Sequence, residues 1–206
     1  MNKLKRIEIS LLFSVIISLI WGCGTAHAQE ELASSLIRLH VIANSDSEED
    51  QRNKLVVRDA ILILAESWGE EAETVQEMER MIRPNLKELE AAGEAALRTV
   101  DCFDKVTASL TDCYFPTKEY DGFALPAGQY TALRLEIGAA EGQNWWCVAF
   151  PPLCLGAGAE NLNTAVEAGY FTDENAKLLI GDGEIYILKF RAIELFGQIK
   201  ERFLGG

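Results

Sequence analysis

Leu36-Ile37-Arg38-Leu39-His40-Val41-Ile42 is followed, one residue later, by Asn44-Ser45-Asp46-Ser47-Glu48-Glu49-Asp50. In the first run Ile37, Leu39 and Val41 fall on one face by period two, with Arg38 and His40 on the other, which predicts a strand. The second run reads as a tight turn into a helix start. Ser45-x-x-Glu48 has the form of a capping box, Ser47 is an equally good N-cap, and acidic residues suit the positive end of the helix dipole. The alternating oxygen-bearing side chains also resemble the opening of a calcium loop. The sixth position is Glu49 rather than Gly, however, and the twelfth is Leu55 rather than Glu, so a metal loop is the weaker reading.

The predicted helix runs to about Trp68, with Leu55, Val56, Ala60, Ile63 and Leu64 as its apolar stripe, widened by Val57 and Ile61. Gly69 punctuates its end. A second helix begins near Thr74, carrying Val75, Met78, Ile82, Leu86, Leu89, Gly93, Ala96 and Leu97 on one face, and Pro84 predicts a kink or short break near Arg83. From Thr99 onward the pattern is that of strands. Val106–Tyr114 alternates loosely, Phe115–Gly122 and Leu125–Gly128 are turn-rich, and Tyr130–Ile137 alternates cleanly. Trp145–Phe150 is apolar on both faces, which predicts a central or covered strand. Residues 159–168 suggest a short helix, Ile185–Phe190 a strand, and Ile193–Phe203 a C-terminal amphipathic helix. The fold class is therefore α+β: an N-terminal strand, two long helices, then a mainly antiparallel sheet and a C-terminal helix, in a single domain over residues 29–206.

Residues 1–28 read as an address. Lys3, Lys5 and Arg6 precede an apolar stretch from Ile9 to Trp21, and Ala26-His27-Ala28 matches a small-x-small cleavage pattern. That stretch is shorter than the roughly 20 residues a bilayer span needs. A signal peptide is thus expected, with an uncleaved N-terminal anchor as the alternative; Gly22-Cys23 makes a poor lipobox because Trp21 stands where a small residue is wanted. The net charge is −13, which argues against nucleic acid as a partner and against electrostatic adsorption to an anionic membrane.

Removal of residues 1–28 leaves Cys102, Cys113, Cys147 and Cys154. In an exported chain these suit disulfides, with three connectivities open and buried free thiols as the rival. Cys147–Cys154 is the leading candidate, since Pro151-Pro152 provides a turn between the two. Neither a metal nor a cofactor is expected. There is no C-x-x-C pair, only His40 remains as an imidazole, and Gly156-Ala157-Gly158 lacks the third glycine of a dinucleotide loop, Asn161 standing there. No G-x-S-x-G occurs. The enzymatic alternative is an exported hydrolase or thiol enzyme using His40 or Cys147.

Gln143–Cys154 concentrates two of the four tryptophans, two of the five cysteines and two of the five prolines without a single charge. Such a stretch is core or a partner surface. Trp145, Trp146 and Phe150, with Phe115, Lys118 and Tyr120 of the preceding turn, are the candidate partner-binding residues.

Several blocks carry a family resemblance: Leu39–Ser47, Asp50-Gln51, Val57–Ala60, Phe115–Lys118, Leu125–Tyr130 and Asn144–Cys154. Together, over about residues 36–155, they resemble the stage II sporulation protein R family. Asp121-Gly122 and Ala149 depart from that pattern. The resemblance implies a ligand rather than an enzyme, exported from the forespore into the space between forespore and mother-cell membranes. Its implied partner is the membrane-embedded aspartic peptidase that processes the sigma factor E precursor; membrane contact is expected only through that partner or an uncleaved N-terminus.

Overall fold

In the computed structural model, the strand quoted first lies inside a sheet built from segments far away in sequence. The structure describes residues 5, 9–14, 29–69, 71–120, 123–153, 159–172, 175, 176 and 179. β1 (Ile37–Ile42) leads into α1 (Glu48–Gly69), α2 (Val75–Ile82), a 3-10 turn (Arg83–Asn85) and α3 (Leu86–Arg98). Then come β2 (Val106–Phe115), β3 (Lys118–Tyr120), β4 (Phe123–Leu125), β5 (Gly128–Ile137), β6 (Asn144–Phe150) and α4 (Ala159–Glu167).

The main sheet has the order β2-β5-β1-β6, and β3 and β4 form a separate hairpin. β1 pairs parallel to β5 but antiparallel to β6, while β2 and β5 are antiparallel. The architecture is thus mixed α+β with a mainly antiparallel sheet. The first long helix is continuous. The second is divided, as Pro84 requires: α2 and α3 meet at the 3-10 turn Arg83–Asn85. The predicted strand 185–190, helix 193–203 and Cys154 lie outside the described residues, as does most of the leader. No helix among the described residues is long and apolar enough to cross a membrane.

One expectation is narrowed and one corrected. Trp145–Phe150 is covered but not central: among the described residues β6 is the outer strand, paired only with β1. Apolarity on both faces reports burial by neighbouring layers, which an outer strand also has when helices pack over it. The stripe of α1 is rotated from the expected one. Val57, Ile61, Leu62 and Ala65 are buried, while Ile63 is 65% exposed. With apolar side chains nearly all round this helix, periodicity alone does not select the inward face.

Period-two alternation sorts the sheet into two unlike faces. Ile37, Leu39 and Val41 of β1, Leu133, Leu135 and Ile137 of β5, and Cys147 and Ala149 of β6 pack against α1, α2 and α3 in one core. Gly93 allows α3 its approach: a Cβ there would stand 3.1 Å from Val106 Cγ1 and 3.3 Å from Val57 Cγ1. A second core on the opposite face gathers Leu32, Leu36, Phe115, Phe123, Leu125, Tyr130, Ala132, Val148 and Leu162.

The β1–α1 corner is tied by its own polar side chains. Asp50 accepts from Asn44 Nδ2 at 3.0 Å and from Ser45 Oγ at 2.5 Å, and the Asp50 N–H donates to Ser47 Oγ at 3.1 Å. Asn44 Oδ1 accepts from the Ala139 N–H and Asp46 from the Gln143 N–H, so the corner also grips the β5–β6 connection. Lys54 Nζ donates to the Gln143 carbonyl at 2.9 Å. These hydrogen bonds hold the Asp50 carboxyl below its ordinary value, Ser45 contributing most. The oxygens that resembled a calcium loop are spent on each other and on backbone, and no cluster able to hold a metal occurs among the described residues.

Candidate functional site

The face of β1 turned away from α1, α2 and α3 carries Arg38 and His40, and the neighbouring strands set what surrounds them. Arg38 lies opposite Ala132 and Val148, and His40 opposite Arg134 and Trp146. Arg38 is fully buried. Its Nε donates to the Cys147 carbonyl at 2.9 Å and its Nη2 to the Tyr120 hydroxyl at 2.9 Å. The guanidinium carbon stands 4.4 Å from the Phe115 ring centre and 5.1 Å from that of Tyr130. Such cation–π contacts contribute on the order of 1–2 kcal/mol when desolvated and offset part of the cost of burial. Burial nevertheless lowers the guanidinium's pKa and raises those of the Tyr120 and Tyr130 phenols.

His40 packs edge-on against Phe115 and Trp146, with ring centres 5.8 and 5.9 Å away. Burial pulls its imidazole below the ordinary value; the charges of Arg134 and Arg38 act in the same direction, while Asn144 and Glu136 oppose it. Lys118 Nζ sits 4.6 Å over the Trp146 ring. Tyr120 stacks on Phe123 at 4.9 Å and donates to the Trp146 carbonyl at 3.2 Å, fastening the β3–β4 hairpin over Arg38. Arg134 is paired with Glu136 at 2.8 Å. The outcome is a cluster of basic and aromatic side chains, with Arg38, Phe115 and Tyr130 buried and His40, Lys118, Tyr120 and Trp146 partly exposed, in a chain whose overall charge is strongly negative.

Four of the six partner-binding candidates meet here: Trp146, Phe115, Lys118 and Tyr120. The other two do not. Trp145 points to the helix side, where Arg58 lies 4.3 Å over its ring. Phe150 is buried in the helix-side core, edge-on to Tyr170 at 5.2 Å. Strand alternation separates the adjacent tryptophans, as it must, and Phe150 falls with Trp145 because the register shifts between Ile37 and Arg38. Arg38, Arg134 and Tyr130 were not among the candidates. The signal for Arg38 was its place as face-mate of His40 in an otherwise apolar strand; nothing local marked Tyr130.

The enzymatic alternative meets the same alternation. Cys147 lies in the helix-side core and His40 on the opposite face, so the two do not form a dyad. Among the described residues Cys102 and Cys113 are free thiols, which removes the Cys102–Cys113 bridge; burial raises the pKa of both.

The family model of stage II sporulation protein R matches residues 33–159, from the end of the helical stretch before β1 to the first residue of α4. The chain belongs to this family. A curated relative, stage II sporulation protein R of Bacillus subtilis (strain 168), is 37% identical over 119 residues, covering 58% of this chain and 53% of the relative. The chain therefore matches about half the length of that protein. No solved structure matches. Among the described residues, the family match contains every strand of both sheets, and so the strands that carry the basic aromatic cluster.

Proposed function

We infer that this chain is an intercompartmental signal of endospore formation, exported from the forespore by its residues 1–28 and acting as a ligand rather than as an enzyme. Its target on this reading is the membrane-embedded aspartic peptidase that cleaves the sigma factor E precursor. The contact surface is the rim around Arg38, with Trp146, Lys118 and Tyr120 partly exposed and Phe115 buried beneath them. The observation that carries the reading is the family match over residues 33–159, which spans the elements that assemble this face. A Cys147–Cys154 bridge belongs to the same proposal; in its support, Cys102 and Cys113 are free thiols and Cys147 is not among them.

Reconstitution tests the reading. Purified protein applied from outside should trigger precursor cleavage in cells carrying only the peptidase and the precursor. Absence of cleavage with folded protein and active peptidase would sink it. Within a responsive system, Trp146→Ala should abolish cleavage while near-native circular dichroism is kept; undiminished signalling by that variant removes the face from the proposal.

A further inference from the structure

Three neighbouring side chains on the face turned away from α1, α2 and α3 hold buried nitrogens without a hydrogen-bond partner: Arg38 Nη1, both ring nitrogens of His40, and Arg134 Nε. Arg134 is directly opposite His40, and Arg38 is two residues before it on the same face. Buried donors normally find partners, and the surplus here is nearly all N–H. No carboxylate answers Arg38 among the described residues: Glu136 is engaged by Arg134, and Asp112 accepts from Thr131 at the sheet's other edge. An uncompensated buried guanidinium costs several kcal/mol, and two aromatic faces and two hydrogen bonds offset that only in part.

We propose that this corner is a carboxylate-binding site, whose occupant is an acidic side chain of a protein partner seated on Arg38 and rimmed by His40, Arg134 and Lys118. The guanidinium's outer fork consists of Nη1, which has no acceptor, and Nη2, which holds only the neutral Tyr120 hydroxyl. A carboxylate takes both nitrogens in the planar bidentate arrangement and displaces a weaker neutral hydrogen bond. Phe115 and Tyr130 flank the guanidinium, and Trp146, with Lys118 above it, forms a half-exposed rim. Tyr120 is the cover. It belongs to a hairpin of two three-residue strands that is a sheet of its own, so it moves without breaking the main ladder. A chain of net −13 repels polyanionic surfaces at range, which selects a single carboxylate presented by a protein over an anionic bilayer or nucleic acid. The partner's identity rests on the functional reading above; the site's chemistry does not.

The test uses the full-length chain and four probes: N-acetyl-glutamate N-methylamide, its glutamine counterpart, inorganic phosphate, and phosphatidylglycerol vesicles. The arginine Nε–H signals are followed by NMR. The blocked glutamate should shift the Arg38 and Arg134 signals saturably, with the glutamine counterpart about tenfold weaker or inactive. Arg38→Met should abolish the response while the variant keeps a cooperative unfolding transition. Arg38→Lys, which keeps charge but loses the fork, covers the case of a poorly folding Met variant and should weaken the response about tenfold. No saturable shift up to about 50 mM probe, an equal response to phosphate or vesicles, or an undiminished response in the folded Arg38 variants overturns the proposal. Precursor cleavage without a carboxylate response sinks this inference alone, and a carboxylate response without cleavage sinks only the functional reading.

Discussion

On the helix side of the sheet, Leu39, Val41, Leu133 and Leu135 are fully buried hydrocarbon under α1 and α3. Across the same backbone, Arg38 is equally buried but ionic, and its neighbours His40 and Arg134 retain unanswered nitrogens. The strands, register and depth are shared, so the difference lies in what covers each face. Helices α1 and α3 complete the first; the second has an apolar core of its own, with Leu32, Leu36 and Leu162, but directly over Arg38 it is closed by a small hairpin through one tyrosine hydroxyl. Both faces are packed, and only the second leaves a cluster of basic nitrogens unanswered within its core.

The strongest way to break that contrast is to empty the helix side. Leu133→Ala should cost about 2–5 kcal/mol, measured by urea unfolding; a loss below 1 kcal/mol would mean that the helix layer does not carry the fold. The adjacent tryptophans should separate next. Trp145→Ala removes a half-buried ring from under Arg58 and should cost about 2 kcal/mol, with signalling retained whenever the variant is folded. Trp146→Ala should do the reverse, changing stability less and removing the signal. Smaller still, Arg38→Met should change stability by less than about 2 kcal/mol despite complete burial, because methionine packs on the same rings without a charge to desolvate. A loss as large as that of Leu133→Ala would make Arg38 a structural element and dissolve the contrast.

The smallest effect is a pH slope. The folded pKa of His40 lies below the unfolded value of about 6.5, so the unfolded state takes up the proton first. Its contribution to stability is fully present above pH 6.5 and declines as the pH falls towards the folded value. Unfolding free energies measured between about pH 7 and pH 5 should decline less steeply in His40→Gln than in the parent; identical slopes would show that the imidazole is not buried as described.

Much of this contrast was legible in residues 36–50. The alternation of β1 placed Arg38 and His40 together, and Pro84 located the break between α2 and α3, because both signals are local and steric. The position of β6 in the sheet was not legible, since strand order depends on pairing partners about a hundred residues apart, which no local pattern encodes. The inward face of α1 was misjudged because Ile63, fully apolar, is left in solvent while Val57 and Ile61 turn inward. The candidate surface was half readable. Trp146, Phe115, Lys118 and Tyr120 stood out by composition, yet the charge beneath them emerges only when β1, β5 and β6 lie side by side.

The order of the sheet also bears on how the chain is made. β1 is the first strand to leave the ribosome, yet both of its neighbours come late: the bond from Arg38 to the Cys147 carbonyl spans 109 residues. Until β5 and β6 have been synthesised, β1 has no ladder on either side and α1–α3 have no sheet to cover. Nascent chains of this protein therefore carry an open strand edge and three uncovered helices through most of translation, a form that invites chaperone capture and that a translocation channel accepts more readily than a finished fold.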